Sequence, residues 1–89
     1  RATLAMGDGM FLPACRSIHT CGMQFPIDVA FVDRQGTVVA LCQSLPPWRM
    51  TPVVWRAWGA LELPAGALQA HGIQLGDRLD LHEFALTSF

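Results

Sequence analysis

Three residues with reactive side chains fall within ten positions of one another: His19, Cys21 and Asp28. A thiolate nucleophile needs a base or cation beside it, and an orienting acid helps. In an extended segment His19 and Cys21 share one face, so a thiol–imidazole–carboxylate set is one chemistry this stretch can support. The spacing matches no catalytic motif, and the plainer reading ranks ahead of it: His19 and Thr20 make local hydrogen bonds while Cys21 packs. No catalytic residue is assigned. A metal site drawn from Cys15, His19, Cys21, His71 and His82 fares no better, because structural zinc prefers tight pairs such as Cys-x-x-Cys. The chain has no such pair, and neither a metal nor a cofactor is expected.

Asp28 follows a Phe25-Pro26-Ile27 step and opens a strand. A buried Asp must be paired or hydrogen-bonded. Its structural role is to cap the preceding turn or receive Arg49, and its functional alternative is to orient a ligand in a groove. Trp48, Trp55 and Trp58, with Phe25 and Met23, either line an aromatic cleft or fill the core, and core is the commoner fate of such rings. Pro46-Pro47-Trp48-Arg49 suits a binding rim, because a rigid loop loses little entropy on binding and Trp and Arg are frequent anchors. The expected ligand-binding set is therefore His19, Thr20, Cys21, Met23, Asp28, Trp48 and Arg49. Glu62 to Gly66 reads as a strand-to-helix corner in preference to an anion site. Phosphate-loop, dinucleotide and serine-elbow fingerprints are absent from the sequence.

The elements that must position these residues are mostly short strands. Gly7-Asp8-Gly9 reads as a turn, and Met10 to Leu12 as a strand stopped by Pro13. His19 to Met23 reads as a strand end, with Gly22 permitting a bend. Asp28 to Val32 and Thr37 to Cys42 form the strongest hairpin, joined by Asp33-Arg34-Gln35-Gly36. Both arms are apolar on both faces, which implies a central place in a sheet. Leu45 to Pro52 holds three prolines and is a loop. Val53 to Trp58 is β-prone, and Ala60 to Leu63 is a further strand. Pro64 starts a short helix near residues 65–71, ended by Gly72. Arg78 to Phe84 is the last strand. Six or seven strands with one brief helix predict a mainly β fold, a compact antiparallel β-barrel or sandwich, in one domain over residues 1–89.

Composition sets outer bounds. In 89 residues, 52 % are hydrophobic and 15 % charged, which favours a folded chain. The six basic residues are all Arg and are scattered along the sequence, and the net charge is −1. No clustered basic run is visible, which argues against nucleic acid and against an electrostatic membrane patch. No apolar run approaches the length of a transmembrane helix. Three cysteines are an odd set for a disulfide scaffold, so Cys15, Cys21 and Cys42 read as thiols, with a Cys15–Cys21 bridge as the oxidised alternative. The chain opens with Arg, so a removed export signal and a cytoplasmic location both stay open.

Four motifs carry a family resemblance: Pro26-Ile-Asp-Val-Ala-Phe-Val-Asp33, Gly36-Thr-Val-Val39, Leu61-Glu-Leu-Pro-Ala-Gly66 and Gly72-Ile-Gln-Leu-Gly-Asp77. In this order they resemble the domain of unknown function 192 family. Ile18-His-Thr-Cys-Gly-Met23 is similar to its Ile-His-Thr-Phe-Gly-Met branch, with Cys21 replacing the aromatic residue. The resemblance implies a small β-rich domain of bacterial and archaeal proteins, sometimes behind an export signal, and supplies no established reaction. For this branch it suggests a link to the cell envelope or pilus assembly. The functional expectation is a binding or accessory domain for a protein, peptide or small molecule. The alternative is a small thiol-dependent enzyme using Cys21 and His19. The high apolar content is also compatible with a homo-oligomer.

Overall fold

Ile27 to Val32 is uninterrupted apolar chain except for Asp28, and it occupies the middle of a sheet where both faces are covered. The structure is a computed structural model and describes residues 9–81 and the backbone of residues 85–86. Its elements are β1 (Met10–Pro13), β2 (Ile27–Val32), β3 (Val38–Leu45), β4 (Gly59–Pro64), the short helix α1 (Ala67–Ala70) and β5 (Ala85–Leu86). The strand order is β3-β2-β4-β1-β5. All neighbours are antiparallel except β1 and β5, which run parallel. The fold is thus mainly β with one short helix, as strand spacing predicted, and among the described residues the sheet does not close on itself. No helix among the described residues is long and apolar enough to cross a membrane.

Strand alternation sorts the interior into two layers. Phe11, Ala30, Val32, Leu61 and Leu63 face one side, where Leu68 of α1, Ile73 and Leu79 cover them. Leu12, Ile27, Val29, Phe31 and Ala60 face the other, covered by Ile18, Ala57 and their neighbours in two long loops. Every residue of β2 is buried. β3 is half-exposed instead of central, because it is an edge strand of the described sheet, with Val38 on its outer side bonded to Gly76 and Asp77. It also runs on to Leu45, past the expected end at Cys42.

Three local expectations differ from what forms. Residues 53–58 are a loop and not a strand: Val54 N–H bonds to the Arg16 carbonyl and Trp58 N–H to Val32. The segment crosses the sheet face and finds partners there, so its β propensity is overridden by tertiary pairing. Pro64 ends β4, and the helix begins only at Ala67, after Gly66 adopts φ 92. Over residues 78–81 the expected final strand is reduced to a single bridge from Arg78 to Thr37, and residues 82–84 lie outside the described residues. The hairpin turn behaves as read. Gly36 has φ 82, and a Cβ there would come within 2.6 Å of the Leu79 carbonyl oxygen, so both conformation and space demand glycine.

Candidate functional site

Asp28 accepts three backbone hydrogen bonds through its side chain. It is 1 % exposed. Oδ1 accepts the Ser44 N–H at 2.8 Å, and Oδ2 accepts the N–H groups of Gly66 and Leu68, both at 3.0 Å. Ser44 lies where β3 carries an extra residue against β2 and its φ is 51. A bulge leaves a ladder N–H without its partner, and Asp28 supplies one. Gly66 and Leu68 are at the start of α1, whose first N–H groups have no intrahelical acceptor. One carboxylate therefore pins the bulge of β3 and the entry of α1 to β2. Arg49 is not its partner.

Thr20 is the second organising residue. It is fully buried. Its hydroxyl donates to the Pro46 carbonyl at 2.7 Å and accepts the Arg49 N–H at 2.9 Å. Its backbone N–H donates to the Arg49 carbonyl at 2.8 Å, and its carbonyl accepts the N–H groups of Trp48 and Met23, both at 3.1 Å. Further along, Thr51 N–H bonds to the Ile18 carbonyl, and Ile18 N–H to Thr51 Oγ1. The His19–Met23 segment and the proline-rich loop are thus laced together over the second core layer. Trp48 is held at φ 61, a region where a bulky side chain is strained, and its ring is exposed.

Between this covering and the sheet lie two clefts that share Glu62 as a wall. The larger, about 560 Å³, is lined by Met10, Met23, Phe25, Pro26, Ile27, Pro64 and their neighbours. The other, about 410 Å³, is lined by Leu12, Cys15, Ser17, Ile18 and His19. Glu62 lies on β4 between Met10 of β1 and Val29 of β2, on the same face as Ala60. Burial pushes its carboxyl above the ordinary carboxylate range, and the positive field of nearby His19 partly offsets this.

The expected site residues thus separate into groups. His19 and Met23 line the clefts, Thr20 positions Trp48 and Arg49, and Cys21 lies on the exposed turn ended by Gly22. Asp28 sits on the opposite face of the sheet. The cysteines are three thiols; the one beside His19 is Cys15, whose Sγ donates to the Ser17 carbonyl. Cys42 is pushed up in pKa by burial and then by the negative charge of Asp28. Among the described residues no group of three or more His, Cys, Asp and Glu side chains is arranged to hold a metal ion. Glu62 was not among the expected site residues, although a lone acid between two leucines of a strand was the available signal.

The DUF192 family, described as "Uncharacterized ACR", matches residues 1–81. The chain belongs to the DUF192 family. Among solved structures, this DUF192 domain is similar to a protein of unknown function from Novosphingobium aromaticivorans DSM 12444, whose crystal structure extends to 1.22 Å. Identity is 22 % and the TM-score 0.73, covering 90 % of this chain and 61 % of that one. The likeness concerns fold alone, and the DUF192 domain spans less than two thirds of that chain's length. No curated protein matches it.

Proposed function

We propose that the domain is a binding or accessory module that holds an apolar segment of a protein, peptide or small molecule in the groove over β1 and β4. One observation carries this reading: a cleft of about 560 Å³ whose walls are almost wholly apolar, with the Glu62 carboxylate set into them. Ligand sites are typically roughly 300–1,000 Å³, mostly apolar, with few polar groups that fix orientation. Met10 and Phe25 beside it are exposed, a surface that bound ligand would remove from water. Glu62 would meet a cation or N–H donor of the ligand, with His19 modulating its charge. Met23 forms a wall; Thr20 holds Trp48 and Arg49 in the adjoining loop, which we assign as an outer rim together with Cys21 on the neighbouring exposed turn, and Asp28 holds the supporting corner from behind. A role at the cell envelope or in pilus assembly extends the same proposal and rests on the Ile-His-Thr-x-Gly-Met resemblance.

The test is a panel of immobilised apolar peptides and glycans, with and without a lysine. Preferred capture of apolar peptides bearing a lysine is expected, lost in Phe25→Ser and weakened in Glu62→Gln. Equal capture by wild type and Phe25→Ser would refute the groove, and unchanged capture by Trp48→Ala with Arg49→Ala would refute the rim. The thiol-enzyme alternative requires Cys21 to work with His19, yet the thiol lining the cleft of His19 is that of Cys15. A Cys21 without enhanced reactivity below pH 8 would remove that alternative.

A further inference from the structure

Arg16, Arg34 and Arg56 come from three separate segments, which is why the linear sequence shows no basic patch. The fold brings them to one cleft of about 250 Å³, together with Asp33, Trp55 and Trp58. Three guanidiniums against one carboxylate make this a positive site in a chain whose formal net charge is −1. Gathering like charges costs free energy that an anion would recover.

Two of the three arginines are held by the fold. Arg16 Nε donates to the Ala57 carbonyl at 3.1 Å, a bond that does not consume its two terminal amino groups. The Arg34 guanidinium lies 5.7 Å from the centroid of the Trp58 ring, within cation–π range. Trp58 is fixed in turn by a tilted contact with buried Phe11 at 5.7 Å and by its N–H bond to Val32. Asp33 serves the hairpin turn, where Oδ1 accepts the N–H groups of Gln35 and Thr37. Trp55 leaves 77 % of its surface in solvent, a large flat face beside the guanidiniums.

We propose that this cleft binds a phosphate monoester, its dianionic head met by Arg16, Arg34 and Arg56 and its organic part lying on Trp55. Guanidinium forks match phosphate oxygens two at a time, and the surplus of positive charge suits a dianion better than a single carboxylate. The cleft shares no lining residue with the Glu62 groove, so it stands or falls independently of the function proposed above.

The experiment is a titration at constant ionic strength, read by tryptophan emission and by thermal melting. The probes are inorganic phosphate, phenyl phosphate, and phosphatidylcholine vesicles with or without phosphatidic acid. Saturable quenching with a raised Tm is expected for phenyl phosphate, weaker for inorganic phosphate, and none for potassium chloride. Binding should weaken as pH falls through the second phosphate ionisation near about 6. Arg34→Gln and Arg56→Gln should each weaken it by about tenfold or more. Arg34 and Arg56 are both exposed, so each variant keeps the test valid if the other misfolds. Binding confined to phosphatidic acid vesicles assigns the phosphate to a lipid, and binding of phenyl phosphate without vesicles assigns it to a soluble ester. No saturation by phenyl phosphate or by vesicles up to about 10 mM phosphate, or saturation that survives Arg34→Gln and Arg56→Gln, overturns the proposal.

Discussion

Replacing Asp28 by Asn keeps the size of the side chain and removes its ability to satisfy three donors. The carboxylate accepts from Ser44 through one oxygen and from Gly66 and Leu68 through the other. Asn has one acceptor and one NH₂, so whichever way it turns, at least one backbone N–H faces another donor. Hydrogen bonds to a charged group are worth about 1.5–3 kcal/mol each, and an orphaned buried donor costs about 1–3 kcal/mol. These terms share one side chain and do not simply add, which sets Asp28→Asn at about 2–4 kcal/mol and Asp28→Ala at about 3–5 kcal/mol. Against a total near 5–10 kcal/mol for a domain this size, that is a large share. At about 4–8 °C per kcal/mol, Asp28→Asn should lower Tm by about 10–30 °C in calorimetry. The loss should also have a pattern. α1 has four residues, too few to persist unaided, so amide exchange should accelerate most at Ser44, Gly66 and Leu68. An Asp28→Asn protein that melts within about 3 °C of wild type with those amides still protected would show that the three bonds do not organise this corner.

Three further outcomes follow from the same geometry. Because burial raises the Glu62 pKa in the folded chain, the unfolded chain loses this proton first as pH rises; stability from this group is full below the unfolded pKa and declines as pH passes through the folded value. Glu62→Gln should therefore be more stable than wild type at pH 7, with the gain vanishing in acid, and a loss at pH 7 in chemical denaturation would contradict the assignment. Thr20→Val should cost about 1–3 kcal/mol for its hydroxyl bonds to Pro46 and Arg49 and shift Trp48 emission, since Thr20 holds the loop; an unchanged spectrum would uncouple them. Iodoacetamide followed by mass spectrometry should label exposed Cys21 first and Cys42 last at neutral pH, because burial and Asp28 keep the Cys42 thiol protonated; faster labelling of Cys42 would contradict that environment.

What could be read from the chain was whatever depended on local chemistry. The hairpin from β2 to β3 was legible because apolar β-branched residues flank an Asp-x-x-Gly turn, and the helix stop because Gly72 takes the left-handed conformation it alone accepts cheaply. The expected ligand-binding set draws on both the His19–Met23 segment and the proline loop, and the two meet through Thr20. What the chain does not display locally depends on pairing at long range. Residues 53–58 have strand-like composition, yet their N–H groups go to Arg16 and Val32, and nothing local announces that choice. Asp28 was recognised as a residue needing partners, but those partners are backbone N–H groups 16, 38 and 40 positions away, which side-chain pairing rules do not reveal. Arg16, Arg34 and Arg56 look scattered for the same reason.

The motifs most diagnostic of the family therefore report the fold before they report chemistry. The Asp of Pro26-Ile-Asp and the Gly of Leu-Glu-Leu-Pro-Ala-Gly66 are two ends of one hydrogen-bonded latch, and both are explained once that latch closes. Glu62 lies within the second motif but points to the opposite face, takes no part in the latch, and has its charge disfavoured by burial. A fold needing only stability would place a neutral apolar residue between Met10 and Val29. The acid at that position has its charge disfavoured while it lines an apolar cleft of about 560 Å³, and under the proposed binding role this opposition makes Glu62, more than Asp28 or Cys21, the residue to test first.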